Sequence, residues 1–350
     1  MSERQTQVPL AFFRLTEQPF APTADPAYFY ATREHRECLF RLWTSIDEQH
    51  GIAVVLGNYG SGKTTLLRKL LTGMAADPYR YSTAVIGSPI PSWTSFALLE
   101  SIVTQFGLSP AKRSFVSYME ALNQFLLSNR NRINTLVIDD AQNLNKRGQL
   151  ELLRLVQNLE TPQHKLLNLI CFAQLEWTSV LQAAPNFEQR INMTYTLSPL
   201  DFQETRNLVE FRLHQAGTQG DAGPVFDEAS IRLIQAYSDG NPRVTVTLCR
   251  NVLLVGAQIR QRHIGREIVV HTIEKTTLPD PAKRARLAAA LLETSGLVVN
   301  EAGPGVREPG PRTLLRRAVP ERRVHPQEDR ASRLLLKAAR LRQANSDEGH

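Results

Sequence analysis

The sequence predicts an α/β fold with a parallel β-sheet, followed by a smaller all-helical subdomain. Between residues 52 and 197, short apolar runs rich in β-branched residues alternate with stretches of helical periodicity. Such runs are typical of buried strands, and their alternation with helices indicates a parallel sheet covered on both faces. After Pro199 the strand-like runs cease and only helical stretches follow.

The predicted elements follow one another along the chain. Strands are expected at 52–56, 83–87, 135–139, 166–172 and 194–197. Helices are expected around the sheet at 33–49, 63–74, 92–106, 115–129 and 148–159, and in the helical subdomain near 201–216, 227–237, 242–257 and 264–275. Residues 11–30 are rich in proline and aromatic residues, which predicts an extended segment pinned to the domain surface.

The bulk composition is that of a soluble globular protein. The chain has 350 residues, of which 42% are hydrophobic and 21% are charged. Cys38, Cys171 and Cys249 lie far apart, which excludes a disulfide framework or a zinc ribbon and fits a reducing compartment. The N-terminus has no secretory signal, and no run of about 18 apolar residues predicts a transmembrane segment. We therefore expect a cytoplasmic protein.

The net charge of +7 is concentrated near the C-terminus. Residues 281–350 hold 14 Lys and Arg against 8 Asp and Glu, whereas the first 280 residues are nearly neutral. From about Pro279 the composition is that of a linker, and a basic amphipathic helix is predicted near 329–343. This tail is interpreted either as a solvated extension or as a segment that binds nucleic acid or an anionic membrane surface.

The sequence from Gly57 to Thr64, directly after the first predicted strand, matches the pattern G-x-x-x-x-G-K-[ST] of a phosphate-binding loop. Its glycines allow backbone N–H groups to turn inward around phosphate oxygens, and the helix that follows adds the positive end of its dipole. Lys63 is expected to contact the β- and γ-phosphates of ATP, and the Thr64 hydroxyl to ligate Mg²⁺. A glycine-rich structural turn, the alternative, does not need this Lys-Thr pair. The predicted nucleotide-binding residues are Gly57, Asn58, Tyr59, Gly60, Ser61, Gly62, Lys63, Thr64 and Thr65.

Two acidic residues end the apolar run Leu136–Ile138. Asp139 is expected to hold Mg²⁺ through its water shell, as an acid at the end of such a strand does in P-loop proteins. Asp140 stands at the position of the acid that polarises the attacking water, where a glutamate is usual. Either aspartate has an alternative interpretation as the N-cap of the following helix.

Three further residues are candidates for the catalytic set. Gln174 follows the fourth predicted strand and is expected to point at the γ-phosphate or the lytic water; otherwise it is a hydrogen-bonding residue at a strand end. Arg190 precedes the last strand, where an arginine can enter a neighbouring subunit's site as a finger or form a surface salt bridge. Arg243 follows Asn241 and Pro242, a helix start that aims Arg243 back at the nucleotide from a helical lid.

These and other motifs resemble the ExeA/GspA-type AAA+ ATPases and their relatives. The resemblance covers about residues 10 to 273, and its motifs fall in order along the chain. Pro19-Phe20 through Asp25-Pro26 to Tyr30 matches PF-x-x-x-x-DP-x-x-x-Y, and His35-Arg36-Glu37 is similar to the family's HREAL helix. The phosphate-binding motif resembles GEVGTGKTT, Asp139–Leu144 resembles DEAQNL, and Leu159–Thr161, Gln189–Ile191 and Gly240–Arg243 also fit.

The resemblance implies a P-loop NTPase (AAA+) αβα core, a helical lid and ATP-dependent assembly into a homo-oligomeric ring or filament. We expect an N-terminal extended segment and helix packed on the core at 1–50 and a nucleotide-binding core at 51–199. The lid is expected at 200–278, and a basic, largely disordered tail at 279–350. Asp140 in place of glutamate departs from the family pattern and predicts slow hydrolysis.

The function implied is that of an ATPase that drives or regulates a cytoplasmic assembly, related to secretion, pilus or exopolysaccharide formation. The alternative is a nucleotide-switched regulator similar to the TnsC-like transposition proteins. Such a regulator would bind DNA through the basic tail or a pore and recruit a transposase.

Overall fold

The computed structural model describes residues 10–22, 26–162, 165–217 and 224–294. Its centre is a sheet of five parallel strands in the order β2-β3-β4-β1-β5. The strands are β1 (Ile52–Gly57), β2 (Tyr81–Ile86), β3 (Ile133–Ile138), β4 (Asn168–Ala173) and β5 (Ile191–Leu197).

The central strands are buried on both faces. Every residue of β1, β3 and β4 is buried, which explains why these segments form continuous apolar runs in the sequence. β5 lies at the edge of the sheet, and there partly buried residues alternate with exposed ones. A single sheet of this kind needs helices on both sides to exclude water.

Helices cover both faces of the sheet. On one face, Leu42 and Leu70 share a buried apolar cluster with Val55 of β1. On the other face, Leu99 and Leu153 pack in a second cluster with Val54, because successive strand residues point to opposite sides. The helices of the first face are α1 (Arg33–Asp47) and α2 (Lys63–Ala75). Those of the second are α3 (Ser95–Gln105), α4 (Phe115–Ser128), α5 (Arg147–Gln157), α6 (Trp177–Gln182) and α7 (Pro185–Glu188).

A helical lid with its own apolar core follows the sheet. Leu233, Val252 and Val269 are among its buried residues. The backbone N–H of Leu200, just after β5, donates to the Gly240 carbonyl at 2.8 Å and fixes the joint between core and lid. The lid helices are α8 (Phe202–Gln215), α9 (Glu228–Ser238), α10 (Pro242–Gln258), α11 (Arg266–Thr276) and α12 (Pro281–Thr294). The predicted α/β fold class with a helical lid is thereby confirmed.

The N-terminal segment packs on the lid and not on the core, where it was expected. Phe13, Phe20 and Tyr28 are buried in the lid's apolar cluster, and Arg212 of α8 donates to the Pro19 carbonyl at 3.0 Å. Among the described residues up to 50, those buried against the sheet belong to α1. The aromatic side chains of this segment complete the apolar core of the lid.

Helix α12 extends the lid beyond residue 278, where a disordered tail was expected to begin. Leu287 and Ala290 are buried in the lid cluster, and α12 lies against α9. Alanine and leucine make up most of this helix, but the proline- and arginine-rich sequence that follows it gives the region from Pro279 onwards the overall composition of a linker. The remainder of the basic tail, including the helix predicted near 329–343, lies outside the described residues.

Within the described ranges, no helix combines the length and the apolar composition that a membrane span requires.

Candidate nucleotide-binding site

Apart from Arg190, the predicted site residues meet at the carboxyl-terminal ends of the strands. The glycine-rich loop follows β1, Asp139 and Asp140 follow β3, and Gln174 follows β4. Since these strands are parallel and adjacent, their carboxyl ends open onto one crevice, the usual ligand position in such sheets.

The loop between β1 and α2 is shaped by two glycines with positive φ. Gly60 has φ 83° and Gly62 has φ 97°, in a region that other residues rarely adopt. Both are also tightly packed, because a Cβ at Gly60 would lie 2.6 Å from Asn241 Oδ1 and one at Gly62 would lie 2.8 Å from His35 Nε2. No side chain caps α2, so the first amides of this helix remain available to an anion.

Lys63 is the buried cation of the loop. Its side chain is only 7% exposed, and its Nζ donates to the carbonyls of Gly57 at 2.8 Å and Asn58 at 3.0 Å. Burial lowers the pKa of Lys63, and the nearby charges of Asp139 and Asp140 oppose this change. The side chain of Lys63 therefore crosses back to the first residues of the loop, and its ammonium group lies near the acidic residues after β3.

Thr64 and Asp139 place two oxygen atoms that can ligate a metal ion beside Lys63. The Thr64 hydroxyl donates to Asp139 Oδ2 at 2.9 Å. Burial raises the pKa of Asp139, while the hydrogen bonds from Thr64 and from the Asp140 amide lower it. The pairing joins the end of β3 to the first turn of α2.

Asp140 has a left-handed backbone and a fixed side-chain partner. Its φ is 50°, its amide donates to Asp139 Oδ1 at 3.0 Å, and no side-chain cap bond supports the N-cap interpretation. Gln142 Nε2 donates to Asp140 Oδ1 at 3.0 Å, and Gln142 Oε1 accepts from the backbone N–H of Gln174 at 3.1 Å. The second acid and the end of β4 are therefore linked by one side chain.

The lid contacts the loop through the N-terminus of α10. Asn241 accepts from the amides of Arg243 and Val244 as the N-cap, and its Nδ2 donates to the Tyr59 carbonyl at 2.6 Å. The Arg243 guanidinium stacks on the Tyr59 ring with its carbon 4.8 Å from the ring centroid, and it donates to the Tyr59 hydroxyl at 2.6 Å. Arg243 therefore reaches the loop through Tyr59, and its contact with the nucleotide stays a prediction.

His35 of α1 packs against the loop at Ser61 and Gly62, a role that the sequence motif did not indicate. Its side chain is 5% exposed, with Nε2 3.3 Å from the Ser61 carbonyl and Nδ1 2.8 Å from the Thr32 hydroxyl. Because the carbonyl can only accept, Nε2 carries the proton and Nδ1 accepts from Thr32. Burial lowers the pKa of His35, which keeps the ring neutral under Gly62.

Arg190 lies at the amino-terminal ends of the strands, on the side of the sheet away from the phosphate loop. It precedes Ile191, which pairs with Ile52 at the start of β1, whereas the phosphate loop begins at the other end of that strand. The two ends of β1 are about 17 Å apart at 3.3 Å per residue. The neighbouring carboxylates of Glu151 and Glu160 are paired with Arg154 and Lys165. Arg190 is thus not part of the site in its own chain.

The residues at the carboxyl-terminal ends of the strands fit a nucleotide with Mg²⁺. The loop is closely packed around uncapped helix amides, and the buried Ser61 hydroxyl has no partner among the described residues. Thr64 and Asp139 supply the hydroxyl and carboxylate oxygens that Mg²⁺ prefers. A phosphate-binding loop of this kind, a sheet of order β2-β3-β4-β1-β5 and a helical lid define a P-loop ATPase fold of the AAA+ class.

Comparison with known proteins gives the same class and a narrower relationship. Residues 46–181 match the family model described as AAA domain. The chain is 30% identical over 296 residues to general secretion pathway protein A of Aeromonas hydrophila, a match that covers 81% of this chain and 52% of that protein. The chain spans about half the length of this relative. The resemblance to the ExeA/GspA-type AAA+ ATPases is confirmed.

Solved structures with a similar fold are more distant in sequence. The ORC2 protein of Aeropyrum pernix superposes with a TM-score of 0.55 at 16% identity, covering 80% of this chain and 79% of that chain. Cdc6p of Pyrobaculum aerophilum gives a TM-score of 0.56 at 18% identity, covering 79% and 78%. At this identity the likeness concerns the fold alone.

Proposed function

We propose that this chain binds ATP with Mg²⁺, hydrolyses it slowly, and uses the ATP-bound state to assemble with further copies of itself. The observation that carries the proposal is the Thr64 hydroxyl held 2.9 Å from the Asp139 carboxylate, beside the buried Lys63 ammonium. A structural turn would need neither a buried lysine nor this pair of Mg²⁺-type ligands.

Each residue of the site has a distinct proposed role. The amides of the loop from Gly57 to Thr65 and the Lys63 ammonium bind the phosphates. Thr64 and Asp139 hold Mg²⁺, which when bound neutralises charge on the phosphate oxygens. Asp140 orients and polarises the attacking water, and Gln174 contacts the γ-phosphate or that water.

The lid and a second copy of the chain complete the proposed site. Arg243 moves from the Tyr59 ring to the γ-phosphate when ATP is present. Arg190 lies too far from its own loop and acts on the nucleotide of a neighbouring subunit, which requires a ring or filament.

The identified relative supports an ExeA/GspA-type role over the TnsC-like alternative. General secretion pathway protein A is named for secretion, and we propose that this chain drives or regulates an assembly of that kind. Asp140 is one methylene shorter than the usual glutamate, so we expect a turnover of roughly 1 per second or less. Slow hydrolysis suits a protein whose ATP-bound assembly is itself the signal.

Nucleotide binding and hydrolysis by matched lysine variants test the proposal. Lys63→Ala should lose Mg²⁺-dependent ATP binding and turnover while keeping its melting temperature. Lys69→Ala removes an exposed lysine from the same helix and should behave as wild type. Wild-type ATP affinity in Lys63→Ala, or no ATP binding by wild type, would contradict the proposal.

A further inference from the structure

We infer that Gln142 is a positioning residue that holds the Asp140 carboxylate in its working orientation and ties it to the end of β4. The inference deepens the proposed ATPase function and rests on it. The starting observation is that this one side chain bonds both the second acid and the residue after β4.

The two ends of the Gln142 amide have fixed roles. The partner after β4 is a backbone N–H, the Gln174 amide at 3.1 Å, so the Gln142 oxygen must face it. The NH₂ group then faces Asp140 and donates to Oδ1 at 3.0 Å. Turning the amide over would place two donors together at Gln174 and two acceptors together at Asp140. Only glutamine in this orientation satisfies both neighbours.

The backbone at Asp140 is held independently of Gln142. The Asp140 amide donates to Asp139 Oδ1 at 3.0 Å, and the Asp140 carbonyl accepts from the Asn143 amide at 3.0 Å. The carboxylate itself can still rotate about χ1 and χ2. Gln142 therefore determines the direction of the acid and not the path of the chain.

The bridge also spans a gap between two strand ends. Ladder pairing of β3 with β4 stops at Ile138 and Cys171. Beyond this point the chain after β3 is tied to the chain after β4 by the Gln142 bond to Gln174 and by the Trp177 indole, which donates to the Leu144 carbonyl at 3.1 Å. A displacement of Gln174 towards a bound phosphate is consequently passed to Asp140 through Gln142.

Two substitutions separate the two bonds of Gln142. Gln142→Met keeps the length of the side chain and removes both bonds. Gln142→Glu keeps the acceptor for the Gln174 amide and places a second carboxylate against Asp140. In both variants kcat should fall about 10- to 100-fold, the range expected for a reacting group displaced by an ångström. The dissociation constant for ATP should remain that of wild type, because Lys63 and Thr64 are untouched.

A double-mutant comparison distinguishes positioning of Asp140 from a general structural effect. Gln142→Met should have no further effect on single-turnover hydrolysis when it is added to Asp140→Asn, since the carboxylate that it positions is gone. Gln203→Met, at an exposed glutamine of the lid, is the control and should match wild type. If Gln142→Met loses thermal stability, the kcat of Gln142→Glu is used to test the positioning role.

The outcomes separate this inference from the ATPase proposal. Wild-type kcat in Gln142→Met or Gln142→Glu, weakened ATP binding in both, or an equal loss in the Asp140→Asn background would overturn the positioning role and leave the ATPase assignment standing. No hydrolysis by wild type would overturn both.

Discussion

The left-handed backbone of Asp140 gives a physical reason for its short side chain. At φ 50°, aspartate and asparagine are tolerated better than glutamate, because their short polar side chains relieve the strain locally. The departure from the family's glutamate is therefore consistent with the local fold. It also means that asparagine can replace this residue without a backbone penalty.

We expect Asp140→Asn to separate binding of ATP from its hydrolysis. Asparagine keeps the shape and the left-handed conformation and removes the charge that polarises water. Hydrolysis should fall at least 100-fold, a typical contribution of general-base catalysis. ATP affinity, measured with a fluorescent analogue, should be retained. A variant that turns over ATP at the wild-type rate would exclude Asp140 as the catalytic base.

We expect His35 to make the protein less stable in mild acid. Its folded pKa lies below the unfolded value of about 6.5, so stability from this group is complete above pH 6.5 and is lost as the pH falls from there through the lower folded pKa. His35→Gln can still donate to the Ser61 carbonyl but cannot titrate. The melting temperature of wild type should therefore fall more between pH 7 and pH 5 than that of the variant. Parallel curves would show that His35 is not the titrating group.

At the scale of elements, periodicity and composition predicted most of the fold. The long helices and the buried strands lie within a few residues of their predicted positions, because their apolar patterns are strong. Helices α6 and α7 were missed since six and four residues are too few to show a helical period. The packing of the N-terminal aromatics on the lid depends on long-range contacts that no local pattern records.

The sequence predicted the types of residue in the candidate site but not the residues that hold them in place. The loop, Thr64 and Asp139 follow from a motif whose spacing is set by phosphate and Mg²⁺ chemistry. Gln142 and His35 stand inside motifs noted only as a resemblance. Their partners, the Gln174 amide and the Ser61 carbonyl, are backbone groups, which leave no signal in a sequence.

Asn241 has two functions at the start of α10, and its substitutions should separate them. Asn241→Ala loses the N-cap, which is worth about 1 kcal/mol, together with the bond to the Tyr59 carbonyl. Asn241→Asp keeps a capping oxygen but cannot donate to that carbonyl. We expect melting temperatures in the order wild type, Asp, Ala. An alanine variant as stable as wild type would show that neither contact matters.

At the scale of the whole molecule, the position of Arg190 makes the proposed site dependent on assembly. Arg190→Ala and Lys63→Ala subunits should each be inactive alone. When mixed, some interfaces join an intact loop from one subunit to an intact Arg190 from another, so that part of the ATPase activity returns. If subunits that demonstrably co-assemble regain nothing at any ratio, Arg190 does not act in trans.

The bond from Asn241 to the Tyr59 carbonyl has a thermodynamic consequence for the molecule as a whole. The same side chain starts a lid helix and holds the phosphate loop, so the orientation of the lid and the shape of the loop are coupled. Coupling between two binding equilibria is reciprocal: if bound nucleotide raises the affinity of the lid for a partner tenfold, that partner must tighten nucleotide binding tenfold. A protein that prefers one lid orientation would thereby regulate nucleotide occupancy without touching the site.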